Sequence, residues 1–250
     1  MVDINLKGEC NMEKKYELVM ENPLDFYHRK LYRVRALKDF ADVKKGDLGG
    51  FIENENNLSQ EENCWVYNNA VVSENARVYN NAKIYDKAEV YGNAKVCDNA
   101  EVHDNAEVYG NAKVYNLTII HDNAKVYDRV EVSGCAEVYQ DAVIRDNAEV
   151  YNNARVHDMV DVHGDAKICN NAEIKKDSDY LTISPVGSEN GIFTAYKCED
   201  GIIKCNRGCF YGTIDEFEAA VLKTHGDSKY AKDYQLMIEY VKSRLCWAED

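Results

Sequence analysis

Two histidines, His103 and His121, stand eighteen residues apart, and Glu101 lies two positions before the first. An imidazole oriented by a carboxylate can take a proton from a hydroxyl or an amine, so this trio holds the elements of general-base catalysis. A second set repeats at the same interval: Arg77, Lys95 and Lys113, with Tyr79 near the first and Tyr115 near the third. Cations interleaved with aromatic rings can hold a phosphate and stack a base. Cys198, Cys205, Cys209 and His225 carry metal-binding atoms, but spacings of seven and four are not the short paired loops of structural zinc sites. Reduced thiols are the expectation there, and no metal ligand is assigned. No glycine-rich phosphate loop, nucleophile elbow or metalloprotease motif occurs. The first two sets do chemistry only if the fold brings residues eighteen apart together.

The elements that would do so are written into the chain. From Val66 to Glu173 it divides into eighteen consecutive six-residue units with no insertion or deletion, of which Val90-Tyr91-Gly92-Asn93-Ala94-Lys95 is typical. Position one is Val or Ile throughout, and position five is Ala in all units but those with Thr118, Val130 and Val160. A β-branched residue at position one suits a short strand pointing into a core. A small residue at position five suits an inward bend. Positions three and four are mostly Asn, Asp or Gly, which turn a chain, and Asn at position four is expected to take the left-handed conformation at the corner. Apolar residues at one and five of every six fit neither a helix of period 3.6 nor an alternating strand.

This pattern resembles the hexapeptide-repeat family, closely over residues 66–173 and weakly back through Asn63-Cys64. The resemblance implies a mainly β fold: a left-handed parallel β-helix in which three units make one triangular coil, giving about six coils. It also implies a homotrimer, and many members are acyltransferases that use acyl-CoA or acyl carrier protein. Two flanking stretches, Leu31 to Ile52 and Cys209 to Phe217, resemble those of hexapeptide proteins encoded by phages and prophages.

Coils of eighteen residues would stack outward side chains into ladders on three faces. The first face carries Tyr67, Tyr85, His103, His121, Tyr139 and His157; the second carries Tyr91, Tyr109 and Tyr127, then Arg145 and His163. The third carries Arg77, Lys95 and Lys113, followed by Glu131 and Glu149. The alternatives to chemistry are plain. In one, histidine stands in for tyrosine at a subunit contact; in the other, the cations pair with glutamates or lie in water.

The parts expected are a tail over 1–13, an N-terminal β cap over 14–63, the β-helix over 64–179 and a small α+β domain over 180–250. In the last, strands at Tyr180 to Ser184, Gly191 to Cys198 and Gly201 to Cys205 precede two helices. Thr213 with Glu216 makes a capping box for a helix to about Thr224, Gly226 ends it, and a second helix runs from about Ser228 to Cys246.

A net charge of −14 excludes broad binding to extended nucleic acid. Nothing in the chain is apolar for long enough to span a membrane, no signal-peptide core follows Met1, and nine cysteines point to a reducing, cytoplasmic setting. Three functions fit. One is a non-catalytic trimer that captures a small anionic, nucleotide-type ligand between subunits at Arg77, Tyr79, Lys95, Lys113 and Tyr115, without a cofactor; given the phage resemblance, its purpose would be to sequester a host immune signal. The second is an acyltransferase with His103 or His121 as base and acyl-CoA as substrate, against which stands the lack of a loop projecting from the coils. The third is a structural or protein-interaction module.

Overall fold

The structure is a computed structural model that describes residues 13–245, so the expected tail falls almost wholly outside it. Each repeat unit contributes a two-residue strand made of position six and the following position one, from Trp65–Val66 to Glu173–Ile174. These strands pair in parallel with those eighteen residues away; Val102, for instance, lies between Ile84 and Ile120. The result is a β-solenoid with walls of nine, seven and six strands. The inward side chains at positions one and five form one continuous core, with Val102, Ala106, Ile120 and Val138 all at 0% exposure.

The coil count is about seven rather than six. Ile52 stacks on Val72 and Leu58 bridges to Val78, so the aliphatic ladder begins a turn before the regular repeat. Two extra residues between Leu58 and Val66 interrupt the period there.

The corner also differs from expectation. It is position three, not four, that is left-handed, in every unit from Asn68 (φ +50°) to Asn170 (φ +58°). The reason lies in the stacking. A position-three side chain accepts the backbone N–H of the residue above it, as Asp104 does from Asp122 (3.3 Å) and Asp128 from Asp146 (3.2 Å). Position-four asparagines instead form side-chain ladders, such as Asn75–Asn93–Asn111 at 3.1 and 3.2 Å.

Both ends are covered. Strands β1 (Tyr16–Phe26), β2 (Arg29–Ala36) and β3 (Leu48–Ile52) extend the nine-stranded wall, with Gly49 and Gly50 letting β3 lie against the Trp65 and Ala70 turns, where a Cβ would collide. The buried Lys15 ammonium donates to the carbonyls of Glu61 (3.1 Å) and Cys64 (2.9 Å). At the other end a four-stranded antiparallel sheet holds the expected strands as Tyr180–Val186, Gly191–Lys197 and Ile203–Arg207 and adds Phe210–Thr213. It seals the last turn through Tyr196, whose hydroxyl meets Cys169 Sγ at 2.7 Å, and through Asn206, which donates to the Lys167 carbonyl. Helices α1 (Ile214–His225) and α2 (Lys229–Leu245) pack on this sheet around Phe217, Tyr234 and Val241, and the Thr213–Glu216 capping box opens α1. Among the described residues no helix is long and apolar enough to cross a membrane.

Candidate functional site

Because strands two residues long leave position two just outside each corner, side chains there stand one above another. On the first face they form a continuous stack: Tyr85–His103 (4.6 Å), His103–His121 (5.0 Å), His121–Tyr139 (5.1 Å) and Tyr139–His157 (4.6 Å), all within 12° of parallel. Tyr91, Tyr109 and Tyr127 stack likewise on the second face at 4.7 and 4.8 Å.

One pairing recurs in these ladders. In several of them the polar tip of the ring reaches a position-six carboxylate of the next turn, sixteen residues on, whereas Tyr109, Tyr127 and Tyr139 have Lys125, Val143 and Arg155 at that position. Tyr85 donates to Glu101 (2.9 Å), Tyr91 to Glu107 (3.1 Å), and Nε2 of His121 and of His157 meet Glu137 (3.1 Å) and Glu173 (2.9 Å). Glu101 therefore serves Tyr85 and does not hold His103, as the sequence had led one to expect. The other nitrogen faces the corner. Nδ1 of His103 meets Asp104 at 2.9 Å, Nδ1 of His121 lies 3.5 Å from Asp122, and Nδ1 of His157 lies 3.3 Å from Asp158.

Of the three histidines in this stack, His103 is the one without such an acid. Sixteen residues beyond it stands Ile119, where Glu137 and Glu173 serve the other two histidines. An ionised Asp104 can accept a hydrogen bond but not donate one, so it selects the Nδ1–H form of His103 and leaves the Nε2 lone pair without a partner among the described residues. His121 and His157 have carboxylates at both nitrogens. His103 and His121 side chains remain 20% and 19% exposed, enough for a ligand to reach. His157 is buried with Glu173. Burial acts to raise the Glu173 carboxyl, but the His157 hydrogen bond and the Arg155 charge outweigh it and hold that carboxyl below its ordinary range.

The basic stripe is not one site. Lys113 is spoken for by Glu131 (2.6 Å), which also accepts from Tyr115 (3.4 Å). A hydrogen bond to Cys97, then burial, pushes the Tyr79 hydroxyl up to about 12. Arg77 and Lys95 lie on adjacent rungs, and among the described residues neither has an ion-pair partner within 4.0 Å. Arg77 and Tyr79 border a cavity of about 650 Å³, but Glu55, Glu61 and Glu74 border it too and oppose an anion.

The residues that sequence reasoning missed are Asp104, Ile119 and Glu137. Their signal is present: an acid directly after each of these histidines, and an acid sixteen residues beyond His121 and His157 but not beyond His103. It becomes meaningful only once the stacking diagonal is known.

The solenoid of parallel strands with turns of about 18 residues is consistent with the hexapeptide-repeat family. No protein-family profile matches the chain. A stretch of 42 residues, 16% of this chain, is 48% identical to the "Uncharacterized acetyltransferase YdcK" of Escherichia coli K12. The match spans 13% of that protein's length.

Proposed function

We propose that the chain is a cytoplasmic acyl-transfer protein in which His103 is the general base. The observation that carries this reading is the His103 imidazole, held at Nδ1 by Asp104 and without a partner at Nε2 among the described residues. In the step envisaged, Nε2 removes a proton from an acceptor hydroxyl or amine as the acceptor attacks the thioester carbonyl of an acyl-CoA. The resulting imidazolium, stabilised by Asp104, returns the proton to the departing thiolate. The acetyltransferase name of the partial relative supports the class of reaction. In a homotrimer a neighbouring wall would supply the enclosure that an unbroken solenoid lacks.

The test is release of CoA thiol from acetyl-CoA with a panel of hydroxyl and amine acceptors. His103→Ala should lower the rate by about 10²–10⁴-fold, the usual worth of a positioned base, and His121→Ala by far less. Equal rates for His103→Ala and the wild type would sink the proposal.

A second reading is favoured by one observation, the unpaired cations Arg77 and Lys95: capture of a small anionic, nucleotide-type ligand without turnover. A nucleotide at 100 times its dissociation constant should stabilise the protein by about 2.7 kcal/mol in a thermal-shift assay, and Arg77→Ala should abolish the shift.

A further inference from the structure

We propose that His103, Asp104 and His121 form a binding site for a first-row divalent cation, with Zn²⁺ and Co²⁺ as its natural probes. This stands apart from the acyl-transfer reading.

Donor atoms of these three side chains, from two successive turns, lie within 4.8 Å of one another. The parallel pairing of Glu101 with Ile119 and of Val102 with Ile120 sets the two turns in register, and the rings lie 5.0 Å apart at 8°. Both Nδ1 atoms face the corner carboxylates, His103 toward Asp104 at 2.9 Å and His121 toward Asp122 at 3.5 Å. Asp104 also reaches up to the Asp122 amide at 3.3 Å, so its carboxylate lies between the turns.

His121 supplies the independent argument. Nε2 of a neutral His121 donates to Glu137 at 3.1 Å, which leaves Nδ1 as a lone pair directed at a carboxylate. Two lone pairs facing each other are well satisfied by a cation placed between them. A proton can fill that role on one nitrogen, and a metal ion can satisfy both rings and Asp104 together. Glu137 is then the outer carboxylate that metal-ligating histidines commonly bond with their second nitrogen, fixing tautomer and ring orientation. Two imidazoles and a carboxylate suit zinc, cobalt and nickel better than the all-oxygen preference of calcium or magnesium.

The site must tighten to close. Bonds of about 2.1 Å place tetrahedral donors roughly 3.4 Å apart, so separations of up to 4.8 Å have to shrink by at most about 1.4 Å. Turning the His121 ring out of the stack converges the two lone pairs at the loss of its contacts with His103 and Tyr139. Solvent and Asp122 stand ready for the remaining positions. Occupancy excludes base chemistry, because a metal on Nδ1 of His103 confines the ring proton to Nε2.

The experiment is Co²⁺ titration of the full chain followed by visible absorption, with Zn²⁺ calorimetry alongside. The expected result is one equivalent per chain, weakened at least about tenfold by His103→Ala and by His121→Ala. Glu137→Gln, which leaves all three ligands in place, should cost about 10- to 100-fold. Circular dichroism of each variant reports whether the solenoid persists, and Glu137→Gln covers the case in which an alanine variant does not fold. Binding no tighter than millimolar overturns the proposal. So does binding that survives His103→Ala but disappears when the thiols are alkylated. Neither result depends on acyl transfer, so the two readings fail separately.

Discussion

Replacing Asp128 with valine asks whether the left-handed corner residue is what closes each turn. Asp128 has φ +59°, and its Oδ2 accepts the Asp146 N–H of the next turn at 3.2 Å. A β-branched residue held in that region costs roughly 1–3 kcal/mol. The Asp146 amide also loses a partner worth roughly 0.5–1.5 kcal/mol. Together these predict a loss of about 2–4 kcal/mol for Asp128→Val. Asp128→Gly loses the same acceptor but adopts the positive φ freely, as Gly92, Gly110, Gly134 and Gly164 already do at equivalent corners. Its cost should stay near about 1 kcal/mol. Arg129→Val, at the exposed position four, should change stability by less than about 0.5 kcal/mol. The assay is urea unfolding followed by far-UV circular dichroism, with the m-value checked because a solenoid can lose end turns first. The reasoning fails if Arg129→Val is as costly as Asp128→Val, or if the valine at 128 is neutral.

Two further outcomes follow from buried ionisable groups. Burial first, and then the Glu107 charge, raises the Glu89 carboxyl above its ordinary range. Its folded form therefore binds a proton more tightly than the unfolded chain, and its contribution to stability falls as pH rises through the raised value. Glu89→Gln should raise the melting temperature at pH 7, with the gain shrinking as Glu89 itself protonates at acid pH; a melting temperature that drops at pH 7 would contradict this. Burial also pushes the Cys205 and Cys198 thiols up to about 12 and about 11, whereas Cys135 and Cys209 are exposed. Native alkylation read by peptide mass spectrometry should label Cys135 and Cys209 first and reach Cys198 and Cys205 only on unfolding.

Much of the fold is legible because burial imposes a strict requirement twice per unit. Val or Ile at position one and a small residue at position five can be recognised without any tertiary knowledge, and both are buried along the whole repeat. The extra turn at Ile52 and Leu58 was hidden because only half of that code survives. Asn56 stands where a small residue belongs, and buried Asn57 instead donates to the Glu74 and Ala76 carbonyls. The assignment of the corner failed for a different reason. Positions three and four are both rich in Asn and Asp, and composition cannot say which turns left-handed and which forms a side-chain ladder. The histidine pair was visible from its spacing. Its partners were not, since the i+16 diagonal depends on how side chains lean across the wall.

That diagonal also explains where chemistry can arise on so regular a surface. Where the diagonal pairs a position-two histidine with a position-six acid, as at His121 and His157, the imidazole is tied at both nitrogens, and a histidine whose diagonal residue is not acidic keeps one free. Ile119 makes His103 that histidine. Ile119→Glu should place a carboxylate at Nε2 of His103 as Glu137 does at His121, giving His103 acceptors on both sides. The substitution lies at a half-buried outward position, so the core beneath it, Ile120, is untouched. Acyl transfer should fall by about as much as in His103→Ala, that is by about 10²–10⁴-fold, while the urea midpoint changes little. The reciprocal Glu137→Ile frees Nε2 of His121 and should give back part of the activity in a His103→Ala background. Full activity in Ile119→Glu would mean that the lone pair at His103 is not the one that takes the proton.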